Sequence, residues 1–98
     1  MLRKEDFVFC IGYQGDTALV DKRAKKKYGR MSTSELLQTG LLRAAFSSAV
    51  YDDSEDDMKK VISSFNDLTG SKLKTSEEMK RLLGIFAVPE EIHKVLSL

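Results

Sequence analysis

The chain has 98 residues, of which 42% are hydrophobic and 32% are charged, and its net charge is +1 at pH 7. This composition is typical of a globular protein and excludes a disordered tail, a collagen-like chain and a polycation. A chain of this length can build one core, so we expect residues 1–98 to form a single domain.

Targeting and redox features favour a cytoplasmic protein. No apolar stretch approaches the length of a membrane span, and charged residues at positions 3–6 interrupt any secretion signal. The single cysteine, Cys10, cannot form an internal disulfide, and its apolar neighbours predict a small, buried and unreactive side chain. Because the sequence predicts neither a membrane span nor a secretion signal, we expect no contact with a membrane.

The first predicted element is a short buried strand over residues 6–13, DFVFCIGY, because this run is apolar and rich in aromatic and β-branched residues. Two segments are candidates to pair with it. One is Thr17–Val20, reached through a hairpin turn at Gly15, and the other is the same segment of a second molecule. In the second arrangement the strand edge binds a partner through Phe7, Phe9 and Ile11.

Residues 16–29 carry the signals of a helix. Asp16 or Thr17 can cap its start, lysines fill its last turn, and Gly29 can end it. A narrow apolar stripe at helical spacing agrees with this interpretation. We therefore favour a helix here, and the alternative is the hairpin in which residues 17–20 form a strand.

A basic run within this segment is the sharpest compositional feature of the chain. One interpretation is the solvated end of a helix, whose dipole favours cations there. The alternative is a nucleic-acid-binding surface, with phosphates bound by the cations and a base stacked on the tyrosine. The residues of this surface are Lys22, Arg23, Lys25, Lys26, Lys27, Tyr28 and Arg30.

The most apolar part of the chain follows. Ser32 and Glu35 form the pattern of a capping box, which predicts a helix start. Apolar residues cover more than half of the helix circumference through Val50, so this segment should be a central helix packed among others. Gly40 is the point at which it can divide into two shorter helices.

Two similar amphipathic helices are predicted next. The first runs from Ser54, a cap followed by three acidic residues, to Gly70, a left-handed C-terminal cap. The second opens with Thr75 and Glu78, buries Phe86 on its apolar face and ends at residues 88–89. A last helix should then begin at Pro89, with three residues facing inward: Ile92, Val95 and Leu96.

No residue pattern indicates catalysis, a metal or a cofactor. The acidic run 52–57 lacks the glycine and the final glutamate of a calcium loop, and the helix dipole explains its charge. His93, the only histidine, has no companion residues for acid–base chemistry and should be exposed. We therefore expect neither an enzyme nor a bound cofactor.

These observations predict a mainly α fold, a small bundle of four to five short helices with one short N-terminal strand or hairpin. Charge is uneven, because residues 1–50 carry nine Lys or Arg against five Asp or Glu, and residues 51–98 carry seven against ten. The predicted function is a non-catalytic protein–protein interaction or regulatory module, with self-association through the N-terminal strand as one form. The alternative is a small nucleic-acid-binding protein that uses residues 22–30.

Overall fold

A computed structural model describes all 98 residues and contains six helices and a three-stranded sheet. About half of the residues are helical, so the prediction of a mainly α fold is confirmed. There are six helices rather than the four to five that we expected, and the sheet is larger than the predicted single strand or hairpin. In chain order the elements are α1 (Lys4–Val8), β1 (Cys10–Gln14), β2 (Thr17–Val20), α2 (Lys22–Tyr28), α3 (Thr33–Gln38), α4 (Leu42–Tyr51), α5 (Glu55–Thr69), α6 (Ser76–Leu83) and β3 (Lys94–Ser97).

The N-terminal apolar run is divided between a helix and a strand, so the prediction of one strand over residues 6–13 is wrong. Short apolar runs do not distinguish a buried strand from a buried helix. Here α1 is held against α4, because the ring centroids of Phe7 and Tyr51 lie 6.0 Å apart and the Tyr51 hydroxyl donates to the Leu2 carbonyl at 2.7 Å. Phe7 and Phe9 are consequently buried core residues, and only Ile11 of the predicted edge residues lies on a strand.

The hairpin, our alternative for the next segment, is the observed structure. Gly15 occupies the first position of a two-residue turn with φ of 59°, which is the glycine position of a type II′ turn. The predicted helix over residues 16–29 is therefore wrong for residues 17–20. The observed helix in this segment is α2, and Asp21 caps its start by accepting a hydrogen bond from the Ala24 backbone N–H at 3.1 Å.

The sheet has the order β1-β2-β3, with β1 antiparallel and β3 parallel to the central strand β2. The predicted helix after Pro89 is wrong, because residues 94–97 pair with β2 instead. This pairing leaves two residues of β2, Ala18 and Val20, without solvent exposure. Of the residues predicted to face inward, Ile92 is buried, whereas Val95 and Leu96 are exposed.

Helix α4 is the central helix, as predicted. The capping box of Ser32 and Glu35 starts α3, and Gly40, with φ of 84°, separates α3 from α4. Helix α4 packs against α1, α3 and α5 through a buried face that includes Ala45, Phe46 and Ala49. Small side chains at this face let the neighbouring helices approach closely.

The two amphipathic helices are present, but the second is shorter than predicted. Helix α5 begins at the Ser54 cap and ends at Gly70, which has φ of 72° as expected. Helix α6 begins at the Thr75 cap but ends at Leu83, because Gly84 adopts φ of 70° and turns the chain away. Phe86 is therefore exposed, which corrects its predicted burial. None of the six helices combines the length and apolar character that crossing a membrane requires.

Candidate functional site

Strand β1 is an edge strand whose outer side has no partner. The two-residue turn makes Gln14 and Thr17 the hydrogen-bonded pair that closes the hairpin. Because pairs alternate in an antiparallel ladder, the N–H and C=O groups of Tyr13 then point away from β2. No other part of the chain bonds to the Tyr13 backbone. The free edge of β1 is thus able to accept a further strand.

Two open cavities of about 310 and 320 Å³ lie beside β1. The first is bounded by β1, α4 and residues 84–87, and the second by β1, α2 and the start of α4. Cys10, Ile11 and Arg43 line both of them. We call these two adjoining cavities the β1 groove.

Large apolar side chains are exposed where they line the first cavity. Ile11 is 63% exposed, Tyr13 45% and Phe86 57%. Ile11 is the extra residue of a β-bulge, since the pairing passes from Cys10 opposite Val20 to Gly12 opposite Leu19. A cluster of exposed apolar side chains at the mouth of a cavity is typical of an interaction surface.

Cys10 and Tyr13 are two of the polar residues in the groove wall. Partial burial, and after it the charge and hydrogen bonding of the Cys10 thiol, together raise the pKa of Tyr13 to about 12. The Cys10 thiol donates to the Gly12 carbonyl at 3.1 Å and is half-buried, rather than fully buried as predicted. The Tyr13 phenol is therefore uncharged at neutral pH.

Arg43 is the one cation that lines the groove. Its guanidinium donates to the Leu83 carbonyl at 2.6 Å and forms no ion pair. The single acidic residue of the groove wall, Asp21, already serves as the cap of α2. The sequence patterns did not single out Arg43. Its isolation is the available signal, since it is the only Lys or Arg between residues 31 and 58.

The basic run lies on α2 and just after it. Lys25 pairs with the buried carboxylate of Asp6, which ties α2 to α1. The ring of Tyr28 stacks against Phe9, with centroids 6.4 Å apart, and the Lys27 ammonium lies 5.3 Å from the Tyr28 ring centroid. The five cations other than Lys25 are exposed and have no ion-pair or hydrogen-bond partner. They are Lys22, Arg23, Lys26, Lys27 and Arg30.

The histidine and the acidic run that the sequence singled out have partners within the chain. His93 is exposed, as expected, and its Nδ1 lies 2.6 Å from the Met1 amino group. In the acidic run, Asp52 pairs with Lys4 at 2.7 Å and Ser54 caps α5.

The chain matches no protein-family model, no curated protein and no solved structure.

Proposed function

We propose that this chain is a non-catalytic protein-interaction module that binds an extended segment of a partner along the free edge of β1. The observation that carries the proposal is the unpaired Tyr13 backbone beside the open apolar cavities of the β1 groove. In this mode of recognition, main-chain hydrogen bonds supply affinity and pockets for alternate side chains supply specificity.

The other free edge of the sheet, on β3, is a poorer docking surface. Its residue Lys94 pairs with Asp16 at 3.1 Å, and charged residues on an edge strand oppose the addition of a further strand. No residue of β3 lines either of the two large cavities. Strand β1, in contrast, carries no charged residue between Cys10 and Gln14.

The surroundings of Cys10 support the non-catalytic part of the proposal. An activated thiol needs a base or a cation that stabilises the thiolate. This thiol donates a hydrogen bond to the Gly12 carbonyl, which is not a base, and it forms no hydrogen bond with a cation. The only histidine, His93, instead lies against the N-terminal amino group.

A matched pair of edge variants tests the proposal. Random peptides displayed on phage are selected on the wild-type protein, and the affinities of the selected peptides are measured for Ile11→Asp and Leu96→Asp. Both side chains are exposed, at 63% and 50%, so both variants should fold. We expect Ile11→Asp to abolish binding and Leu96→Asp to preserve it. Failure to select any peptide, or equal binding by both variants, would contradict the proposal.

Self-association is the form of this function in which a second copy supplies the strand. It predicts a monomer–dimer equilibrium in analytical ultracentrifugation that Ile11→Asp shifts to monomer and Leu96→Asp leaves unchanged. A protein that stays monomeric at millimolar concentration, and still binds selected peptides through β1, restricts the module to partners of other sequence.

The unpartnered cations of α2 favour nucleic-acid binding as a second candidate function. A protein that neutralises phosphates releases counterions, so its affinity should fall steeply as salt rises. Tyr28 is packed on Phe9, so the candidate site depends on the cations rather than on base stacking. Fluorescence titration of a mixed oligonucleotide at low salt is the test. Binding that Lys22→Glu/Lys26→Glu removes would support this function, and no binding would exclude it.

A further inference from the structure

The charge of the β1 groove defines which segments it can bind, an inference that rests on the function proposed above. We propose that the segment paired with β1 carries an acidic side chain between apolar ones, and that Arg43 binds its carboxylate. Arg43 belongs to the walls of both cavities. Two apolar side chains of the bound segment, one in each cavity, would therefore flank the side chain that reaches Arg43.

Arg43 has donors available for such a carboxylate. A guanidinium presents five N–H donors in a planar fork that matches a carboxylate, and Arg43 uses one of them to bind the Leu83 carbonyl. Asp21, the only acid of the groove wall, accepts from the Ala24 N–H. The groove consequently offers an unneutralised cation between apolar walls.

Helix α2 extends this positive charge along one rim of the groove. Its residues Ala24 and Tyr28 line the second cavity. A rotation of about 100° per residue places Arg23 and Lys27 beside this stripe. The 5.3 Å between the Lys27 ammonium and the Tyr28 ring agrees with that placement. An acidic residue at this end of a bound segment would meet two free cations.

The same charges disfavour a second copy of this chain as the occupant. A two-fold pairing of β1 with β1 would bring Arg43 and the α2 rim of both molecules together, and like charges across an interface lower its affinity. A nucleic acid matches the charge of the rim but supplies neither a strand for the Tyr13 backbone nor side chains for the cavities. An extended acidic and apolar peptide satisfies all three features.

Peptide selection followed by a double-mutant cycle tests the inference. Phage-displayed peptides of random sequence are selected on the wild-type protein, and we expect the consensus to contain Asp or Glu flanked by apolar residues. Fluorescence anisotropy then compares this peptide with its amide analogue. We expect Arg43→Gln to weaken binding of the acidic peptide about tenfold, and to leave binding of the amide analogue unchanged.

Two variants on opposite sides of α2 provide a matched control. At about 50 mM salt, Arg23→Gln/Lys27→Gln should weaken peptide binding about threefold, and the effect should decline at high salt. Lys22→Gln/Lys26→Gln removes the same charge from the side of the helix that faces away from the groove. We expect this variant to bind the peptide like the wild type.

Failure of this inference is distinguishable from failure of the proposed function. A consensus without acidic residues, bound equally by Arg43→Gln, would overturn the acidic partner and leave strand addition intact. Peptide binding that Ile11→Asp does not affect would overturn strand addition itself. A mixed oligonucleotide that displaces the peptide, and loses affinity equally in both α2 variants, would assign the cations to nucleic acid and overturn the inference.

Discussion

At the scale of single residues, the ion pair between Asp6 and Lys25 connects α2 to α1. The Asp6 side chain is only 8% exposed, and the pair joins α1 to the helix that walls the second cavity. Exposed ion pairs contribute little to stability, but a buried carboxylate that loses its partner is costly. Lys25 therefore has an ion-pair partner, which the exposed cations of α2 lack.

Replacement of Lys25 by methionine should expose the cost of that buried charge. We expect Lys25→Met to lower the free energy of unfolding by about 2 kcal/mol, less than for a fully buried pair because the Lys25 side chain is 32% exposed. Urea denaturation measures the change. The double variant Asp6→Leu/Lys25→Met should recover most of the lost stability. If Lys25→Met is as stable as the wild type, the ion pair between Asp6 and Lys25 is contradicted.

Tyr13 predicts a loss of stability at alkaline pH. Its pKa is raised from 10.0 to about 12 in the folded chain, chiefly by burial and then by the Cys10 thiol. Above pH 10 the unfolded chain loses this proton first, so the stabilisation declines as pH rises from about 10 to about 12. Tyrosinate absorbance should show one of the three tyrosines ionising near pH 12, and Tyr13→Phe should remove that step. The same titration curve in Tyr13→Phe would show the assignment to be wrong.

At the scale of elements, locally encoded features were predictable from the sequence. Helix α5 follows from Ser54 and Gly70, and the start of α3 follows from Ser32 and Glu35, because caps act within one helical turn. Gly40 likewise separates two helices as proposed. Local hydrogen bonds decide these boundaries, so a single sequence contains the information.

The strands were harder to predict because distant pairing determines them. Ile92, Val95 and Leu96 have the spacing of a helix face, yet residues 94–97 pair in parallel with residues 17–20. The β1 groove has the same origin, since Arg43 and Phe86 meet Ile11 only after the sheet and α4 assemble. Of the predicted edge residues, Ile11 lies in the groove and is exposed, and Phe9 lines its second cavity from a buried position.

Gly84 is the residue that ends α6 and sets the direction of the chain at the groove. Its φ of 70° is unfavourable for any residue with a side chain. We expect Gly84→Ala to lower the free energy of unfolding by about 1 kcal/mol. Gly12→Ala is the control, because a Cβ there meets no atom within 4 Å and its φ is not positive. Equal stability of the two variants in urea would contradict a left-handed end for α6.

At the scale of the whole molecule, most of the groove wall comes from the more basic half of the chain. The first 50 residues contribute β1, α2 and Arg43, whereas α5 and α6 begin with acidic first turns. Electrostatic attraction should therefore steer an acidic partner toward the groove, and mainly accelerate its association. The free edge and the apolar cavities then determine how the bound segment is aligned.

The most direct test of strand addition is amide hydrogen exchange at Tyr13, measured by NMR with and without a selected peptide. In the free protein the Tyr13 N–H points to solvent at the edge of β1 and should exchange rapidly. A bound strand should accept a hydrogen bond from it and slow its exchange at least about tenfold, with no change at residues 94–97. Slower exchange confined to β3, or unchanged exchange at Tyr13 under saturating peptide, would contradict the proposed function.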